Sequence, residues 1–391
     1  MTEPDPEPTG GWLSRNLVVL SGVSFLQDAA SELLYPILPI YLTAVLGAPP
    51  AVVGMVEGLA EGAASVTKLG AGALGDRMRR RPLIAVGYGL AALGKVLISL
   101  AMAWPAILAG RVVDRLGKGV RGAPRDALLV DGIPPAARGR AFGLHRTADT
   151  LGAVVGPLLG LAGYELLNHR IRPLLVIAVV PAVLSVLLVA AVRERPQARP
   201  RPRRRAVLRG ARDLPGRYWR VVALLMVFSV ANFPDALLLL RLNEIGFSVS
   251  GVILAYVAYN AVYAAGSYPA GLLADRIRAP RVFGTGLVFF AAGYLGLGLV
   301  HSHAAAWLLL AAYGLFTACT DGVGKAWISS LVGAEQQSTA QGVYQGLTGI
   351  GVLLAGVWAG LLWHADGRLP LLLSGVLGGL IAAALLVAPR R

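Results

Sequence analysis

The sequence predicts an all-α polytopic membrane protein: twelve transmembrane helices in two pseudo-symmetric six-helix bundles. Three observations predict it. Of 391 residues, 56% are hydrophobic and only 15% are charged, with a mean hydropathy of +0.65. A soluble domain carries about a quarter charged residues, so lipid is the solvent that can cover this much apolar surface. The apolar residues fall in twelve runs near the ~20 residues that a helix needs to cross a ~30 Å hydrocarbon core. The chain also repeats itself. Gly72, Asp76 and Arg77 recur as Gly271, Asp275 and Arg276, at a lag of 199 residues (271 − 72). The same lag joins Gly47 to Gly246, Gly87 to Gly286, Gly94 to Gly293, Ala141 to Ala340, Gly143 to Gly342 and Gly152 to Gly351. Glycine matches arise easily by chance, but an acid-base pair inside a gapless alignment does not, so the halves read as a duplication.

Taken in order, residues 1–16 form an acidic, Pro-rich tail without a basic start or a cleavage site, so no signal peptide is expected. The runs cover 17–44, 51–76, 82–103, 105–125, 138–166 and 171–192, then 219–243, 249–275, 281–301, 304–328, 336–364 and 369–389. Residues 17–192 are thus expected as one bundle and 219–391 as the other. Between them, 193–218 is rich in Arg and Pro; Pro blocks a regular helix and the charge forbids burial, so it reads as a tether at the lipid surface.

Orientation follows from arginine placement. Arg77, Arg79, Arg80 and Arg81 follow span 2; Arg121, Arg125, Arg138 and Arg140 flank the turn after span 4; Arg276, Arg278 and Arg281 follow span 8. The turns after spans 1, 3 and 9 have no Lys or Arg. Positive turns stay inside, so both termini are expected in the cytoplasm. The net charge of +15 sits in these turns, which argues against a nucleic-acid partner. The single Cys319 rules out an intrachain disulfide and a cysteine-rich metal cage.

Two local patterns carry chemistry. The first is the turn Gly72, Asp76, Arg77, Arg80, Arg81, a G-x-x-x-D-R-x-x-R-R pattern repeated at Asp275 and Arg276. A carboxylate at that depth can accept hydrogen bonds from a neighbouring helix N-terminus or pair with an arginine across the halves, as a gating latch. The second is Gly152, Gly156, Pro157 and Gly160 on span 5. Its glycines are four apart, share one face and permit close backbone approach.

With twelve spans and a basic central linker, these residues resemble the major facilitator superfamily over essentially the whole chain. The turn is similar to that family's signature between spans 2 and 3, with Arg79 where Gly is usual. The span-5 pattern is similar to the one associated with its antiporting exporters. Arg111, Asp114 and Gly117 resemble more loosely a span-4 motif linked to proton coupling, with Arg115 where Gly is usual. The resemblance implies a cavity lined by spans 1, 4, 7 and 10.

Ionisable groups within lipid are costly and therefore mark function. Asp28 and Glu32 lie i, i+4 on span 1, and Glu57 and Glu61 do so on span 2; Lys68, Lys95, Arg111, Asp114 and Arg115 follow. The proton-coupling candidates are Asp28, Glu32, Glu61, Arg111 and Asp114, with Arg111 the expected partner of a span-1 or span-2 acid. Lys68 reads as a neutraliser of Glu61, Lys95 as partner of a buried acid, and Asp149 as a local partner of Arg146. In the second half, Glu57 maps to Tyr256 and Glu61 to Asn260. The substrate-cavity candidates are therefore Tyr35, Asn232, Asp235, Tyr256 and Asn260.

The function expected is a secondary active transporter in the bacterial inner membrane that exports a small molecule by proton antiport with alternating access. A same-fold importer or facilitator is the alternative. The expected partners are the small-molecule substrate, protons and the lipid bilayer, with the chain a monomer. No cofactor and no metal are expected; His301 and His303 make a poor metal site. No catalytic motif is present, so no enzymatic activity is expected.

Overall fold

In a computed structural model of the chain, residues 13–75, 79–129, 131, 133, 138–194, 211–333, 336–363 and 366–387 are described. All twelve expected runs are helical. Span 1 is Arg15–Leu34, continued past a break by Leu38–Ile40 and a π-helical turn, Tyr41–Val45. Spans 2 to 5 are Pro50–Gly75, Arg80–Leu100, Trp104–Leu129 and Arg138–Leu166; span 6 is Ile171–Ile177 with Val179–Val189. Span 7 is Gly216–Ala231 with Asp235–Glu244. Spans 8 to 12 are Val249–Arg276, Ala279–Leu299, His303–Ser330, Gln337–Leu361 and Arg368–Val387.

The breaks in spans 1 and 7 fall at equivalent places. Tyr35 precedes Pro36, and Asn232 and Phe233 precede Pro234. Proline lacks the N–H that would continue the ladder; Asn232 leaves the helical region two residues before Pro234, at φ −89° and ψ 85°, whereas Tyr35 keeps helical dihedrals before Pro36. The apolar runs conceal both breaks, because hydropathy is blind to hydrogen-bond continuity.

Among the described residues, nine helical stretches are long and apolar enough to cross a membrane. Spans 2, 4 and 5 are absent from that set although they have 26, 26 and 29 residues. Span 2 carries Glu57, Glu61 and Lys68, and span 4 carries Arg111, Asp114, Arg115, Lys118, Arg121 and Arg125. Spans 2 and 4 thus owe their lower hydropathy to the charges they carry.

Packing repeats between halves. In the first, span 1 lies on spans 5 and 6, span 2 on span 4, and span 3 on spans 4 and 6. In the second, span 7 lies on spans 11 and 12, span 8 on span 10, and span 9 on spans 10 and 12. The halves meet along two larger seams related by the same exchange, span 2 with span 11 and span 5 with span 8, and the second helix of span 7 also touches spans 1 and 2.

The repeat reaches single contacts. Gly47 and Gly246 both have positive φ, +63° and +106°, a conformation open to glycine at little cost. A methyl at Gly94 would stand 2.5 Å from the carbonyl of Gly110; its equivalent Gly293 faces the carbonyl of Leu309 at 3.4 Å. Gly152 lies against Phe25 and Asp28, and Gly351 against Met226 and Ser229.

Candidate functional site

Span 2 and span 4 build a ladder of charge. Arg111 donates from Nε to Glu57 Oε1 at 2.9 Å and from Nη2 to Glu57 Oε2 at 2.6 Å, with the Arg111 side chain only 3% exposed. One turn on, Arg115 is the strongest charged neighbour of Glu61, followed by Lys118 and then Lys68. Both helices place their charges four residues apart, so the rungs match. Arg111, expected on an acid of span 1 or span 2, is taken by Glu57 of span 2. Glu61 has Arg115 and Lys118 of span 4 acting on it as well as the expected Lys68. Glu57 was legible as the i, i+4 partner of Glu61; Arg115 and Lys118 were not singled out as partners of any acid.

Asp114 is the buried acid that Lys95 was expected to partner. Lys95 Nζ lies 3.1 Å from its Oδ1, with side chains 2% and 5% exposed, in the tight contact of spans 3 and 4 beside Gly94. The pair neutralises itself inside the bundle.

Asp28 and Glu32 are half-buried. The groups acting on Asp28 are Asp149, Lys118, Arg121 and Arg125. Gly152 comes within 3.0 Å of the Asp28 Cβ as judged from an added methyl, so the span-5 glycines seat this acid. Gly156 meets the Ala29 carbonyl at 2.6 Å and Gly160 the Leu33 carbonyl at 2.8 Å, while the helix runs on through Pro157. Asp149 does not pair with Arg146. Its Oδ1 stands 3.8 Å from His145 Nε2, and both atoms lack hydrogen-bond partners.

Glu32 reaches the other half. Tyr256 of span 8 donates from its hydroxyl to Glu32 Oε2 at 2.6 Å. The Tyr256 ring lies 5.4 Å from the Tyr35 ring and 5.9 Å from that of Tyr259. Arg111 stands 5.7 Å above Tyr35. Asp235 opens the second helix of span 7, where the N-terminal dipole favours an acid. It accepts from Tyr313 at 2.5 Å and from Tyr259 at 3.3 Å. Asn260 donates to the backbone carbonyl of Tyr256 in its own helix, and Asn232 accepts from Tyr294 at 3.4 Å. Tyr35 and Asn232 thus hold the two helix breaks, and the tyrosines carry the acids.

At the end nearer the linker, Asp76 and Arg77 lie outside the described residues. Gly72 is in the last turn of span 2; Asp275 and Arg276 are in that of span 8. The acid found at the start of span 3 is Glu194. It accepts from the backbone N–H of Arg80 at 2.8 Å and of Arg81 at 3.1 Å, and lies 3.8 Å from Arg79. The Arg81 guanidinium donates to the carbonyl of Ala190. Arg193 is fixed reciprocally by Asn16, at 2.7 and 2.9 Å. Within the second half, Tyr263 donates to Asp321 at 2.7 Å and Lys325 stands 2.8 Å from the same acid; across the halves, Arg146 approaches both Tyr263 and Asp321.

Comparisons with known proteins agree with this architecture. Residues 20–242 and 221–391 match the family profile described as Major Facilitator Superfamily. An MFS-type transporter of Methanocaldococcus jannaschii is 31% identical over 372 residues, covering 93% of this chain and 92% of the relative. The multidrug resistance protein MdtH of Proteus mirabilis is 25% identical over 368 residues, covering 90% and 89%. Among solved structures, the nucleoside transporter NupG superposes with a TM-score of 0.82 at 15% identity, over 95% of this chain and 99% of that one.

Proposed function

This chain belongs to the Major Facilitator Superfamily, and on that premise we propose that it exports a small molecule by proton antiport. Residues 17–192 and 219–391 serve as the two moving bodies. Both termini and the linker face the cytoplasm, the membrane is a bacterial inner membrane, and one chain is the working unit.

The observation that carries this reading is the bond from Tyr256 to Glu32, which joins the halves. When the halves rock apart, this bond breaks and the carboxylate must find a proton or another partner. An acid whose surroundings change with the transition is where proton binding can bias it, because a ligand shifts an equilibrium only by its differential affinity. Asp28 and Glu61 stand within the same electrostatic network and share the load. Arg111 has a fixed part: its two bonds to Glu57 hold spans 2 and 4 together and set the field around Tyr35. The relative named a multidrug resistance protein supports the export direction.

The test is flux in proteoliposomes with an imposed pH gradient. An antiporter accumulates its substrate in the acidic compartment, and Asp28→Asn, Glu32→Gln and Glu61→Gln combined abolish that accumulation. Flux indifferent to the gradient, or intact in the triple variant, overturns the reading. Counterflow without a gradient, surviving in the triple variant, would instead mark a facilitator.

A further inference from the structure

We propose that the two halves together form an organic-cation site, a cage of Tyr35, Tyr256, Tyr259 and Tyr313 bounded by one carboxylate from each half, Glu32 and Asp235. The inference rests on the transport reading above and gives its cargo a chemical class.

The rings form one continuous row across the seam. Tyr35 of span 1 meets Tyr256 at 5.4 Å, Tyr256 meets Tyr259 at 5.9 Å, and Tyr259 stacks on Tyr313 at 5.2 Å. Their hydroxyls point at the acids: Tyr256 at Glu32, and Tyr259 and Tyr313 at opposite oxygens of Asp235. Tyrosine hydroxyls solvate a carboxylate but do not neutralise it.

The charge count around the row is one-sided. Arg111 is the cation that overlooks it, and Glu57 occupies its guanidinium through two bonds. The strongest charged neighbours of Asp235 are Glu32 and Glu57, both acids. Arg115 and Lys118 act on Glu32, but Glu61 is a stronger influence on each of them. Once Arg111 is set against Glu57, neither Glu32 nor Asp235 makes a salt bridge among the described residues. Carboxylates in a low-dielectric interior require a counter-charge. Aromatic faces attract cations, and cages of such rings favour charge spread over an apolar frame. A hydrated metal ion would have to shed its shell against rings, whereas an ammonium, phosphonium or amidinium group on an apolar body satisfies acids and rings together. Because one acid comes from each half, such a ligand senses their relative position.

The test uses the full-length protein in detergent and two probes of one shape and opposite charge, tetraphenylphosphonium and tetraphenylborate. The wild-type protein binds the phosphonium saturably above empty micelles and is raised in melting temperature by it, while the borate does neither. Glu32→Gln and Asp235→Asn each weaken phosphonium binding about thirtyfold or more, as removal of one member of a desolvated charge pair does. Tyr259→Phe, which retains the ring, weakens it less. Equal binding of both probes, no saturable phosphonium binding, or affinity unchanged in Asp235→Asn overturns the proposal. The wild-type comparison requires no variant to fold. Gradient-indifferent flux with intact phosphonium binding would sink only the antiport reading. Gradient-driven flux of a neutral or anionic solute without phosphonium binding would sink only the cation site.

Discussion

At the scale of single residues, the Glu57–Arg111 pair is held by two short, nearly dry bonds. Removing one member leaves the other charged and uncompensated, which costs about 3–5 kcal/mol. Glu57→Gln should therefore lower the melting temperature in detergent sharply, and Arg111→Gln added to it should restore part of the loss. Lys95 and Asp114 make the same prediction in a different contact: Lys95→Met alone destabilises, and Lys95→Met with Asp114→Leu does so far less. If either double variant melts lower than its single, the pairing is not the source of the stability. The Lys95–Asp114 pair should not matter to phosphonium affinity as Asp235 does, since its two charges answer each other between spans 3 and 4.

At the scale of helices, spans 1 and 5 touch backbone to backbone through Gly152, Gly156 and Gly160. Gly156→Leu must drive them apart, because its first added carbon already stands 2.6 Å from the Ala29 carbonyl. Overpacking of this kind costs about 1–3 kcal/mol, and it should displace Asp28 as well, so flux falls more than stability does. Gly89→Ala is the control: nothing lies within 4 Å of a methyl there, and helix propensity favours the change by about 0.5–1 kcal/mol. The start of span 3 gives a third case. Glu194 satisfies two backbone N–H groups that the helix itself cannot. Glu194→Ala should cost about 1 kcal/mol, the usual loss of a cap, read as a lower melting temperature and faster hydrogen exchange at Arg80 and Arg81.

At the scale of the whole molecule, transport requires the seams to open in turn. The span 2–11 seam is glued by glycine: Gly54 and Gly356 lie carbonyl to Cα, and Gly360 packs on Ala51. Gly54→Val cannot close that seam, so a cysteine at Asn232, in a Cys319→Ser background, should label faster with a polar maleimide than in the unsubstituted seam. The span 5–8 seam is polar, with Ser250 donating to Glu165 at 2.5 Å and Arg146, Tyr263 and Asp321 meeting at the other end. Asp321 is partly exposed, so its link to Arg146 is worth little, about 0.2–1 kcal/mol. Asp321→Asn should shift spin-label distances across the linker end by only a few-fold change in population.

Most of the fold was legible because its causes are linear. Hydropathy locates the spans, arginine turns separate them, and a lag of 199 residues exposes the duplication that fixes which helices are equivalent. The close approach of spans 1 and 5 was legible too, since glycines four apart can do little else on a helix face. The site was legible as a list of ionisable residues, Asp28, Glu32, Glu61, Arg111, Asp114 and Asp235 among them, because charge inside lipid stands out against an apolar background. Partners were legible only as classes, Lys95 for a buried acid and Arg111 for an acid of span 1 or 2, and not as particular residues. That Arg111 takes Glu57, Asp114 takes Lys95, Tyr256 takes Glu32 and Glu194 takes the start of span 3 depends on the rotation of each helix about its axis and on which helices lie side by side. Sequence spacing fixes which residues share a face, and only packing decides what that face meets.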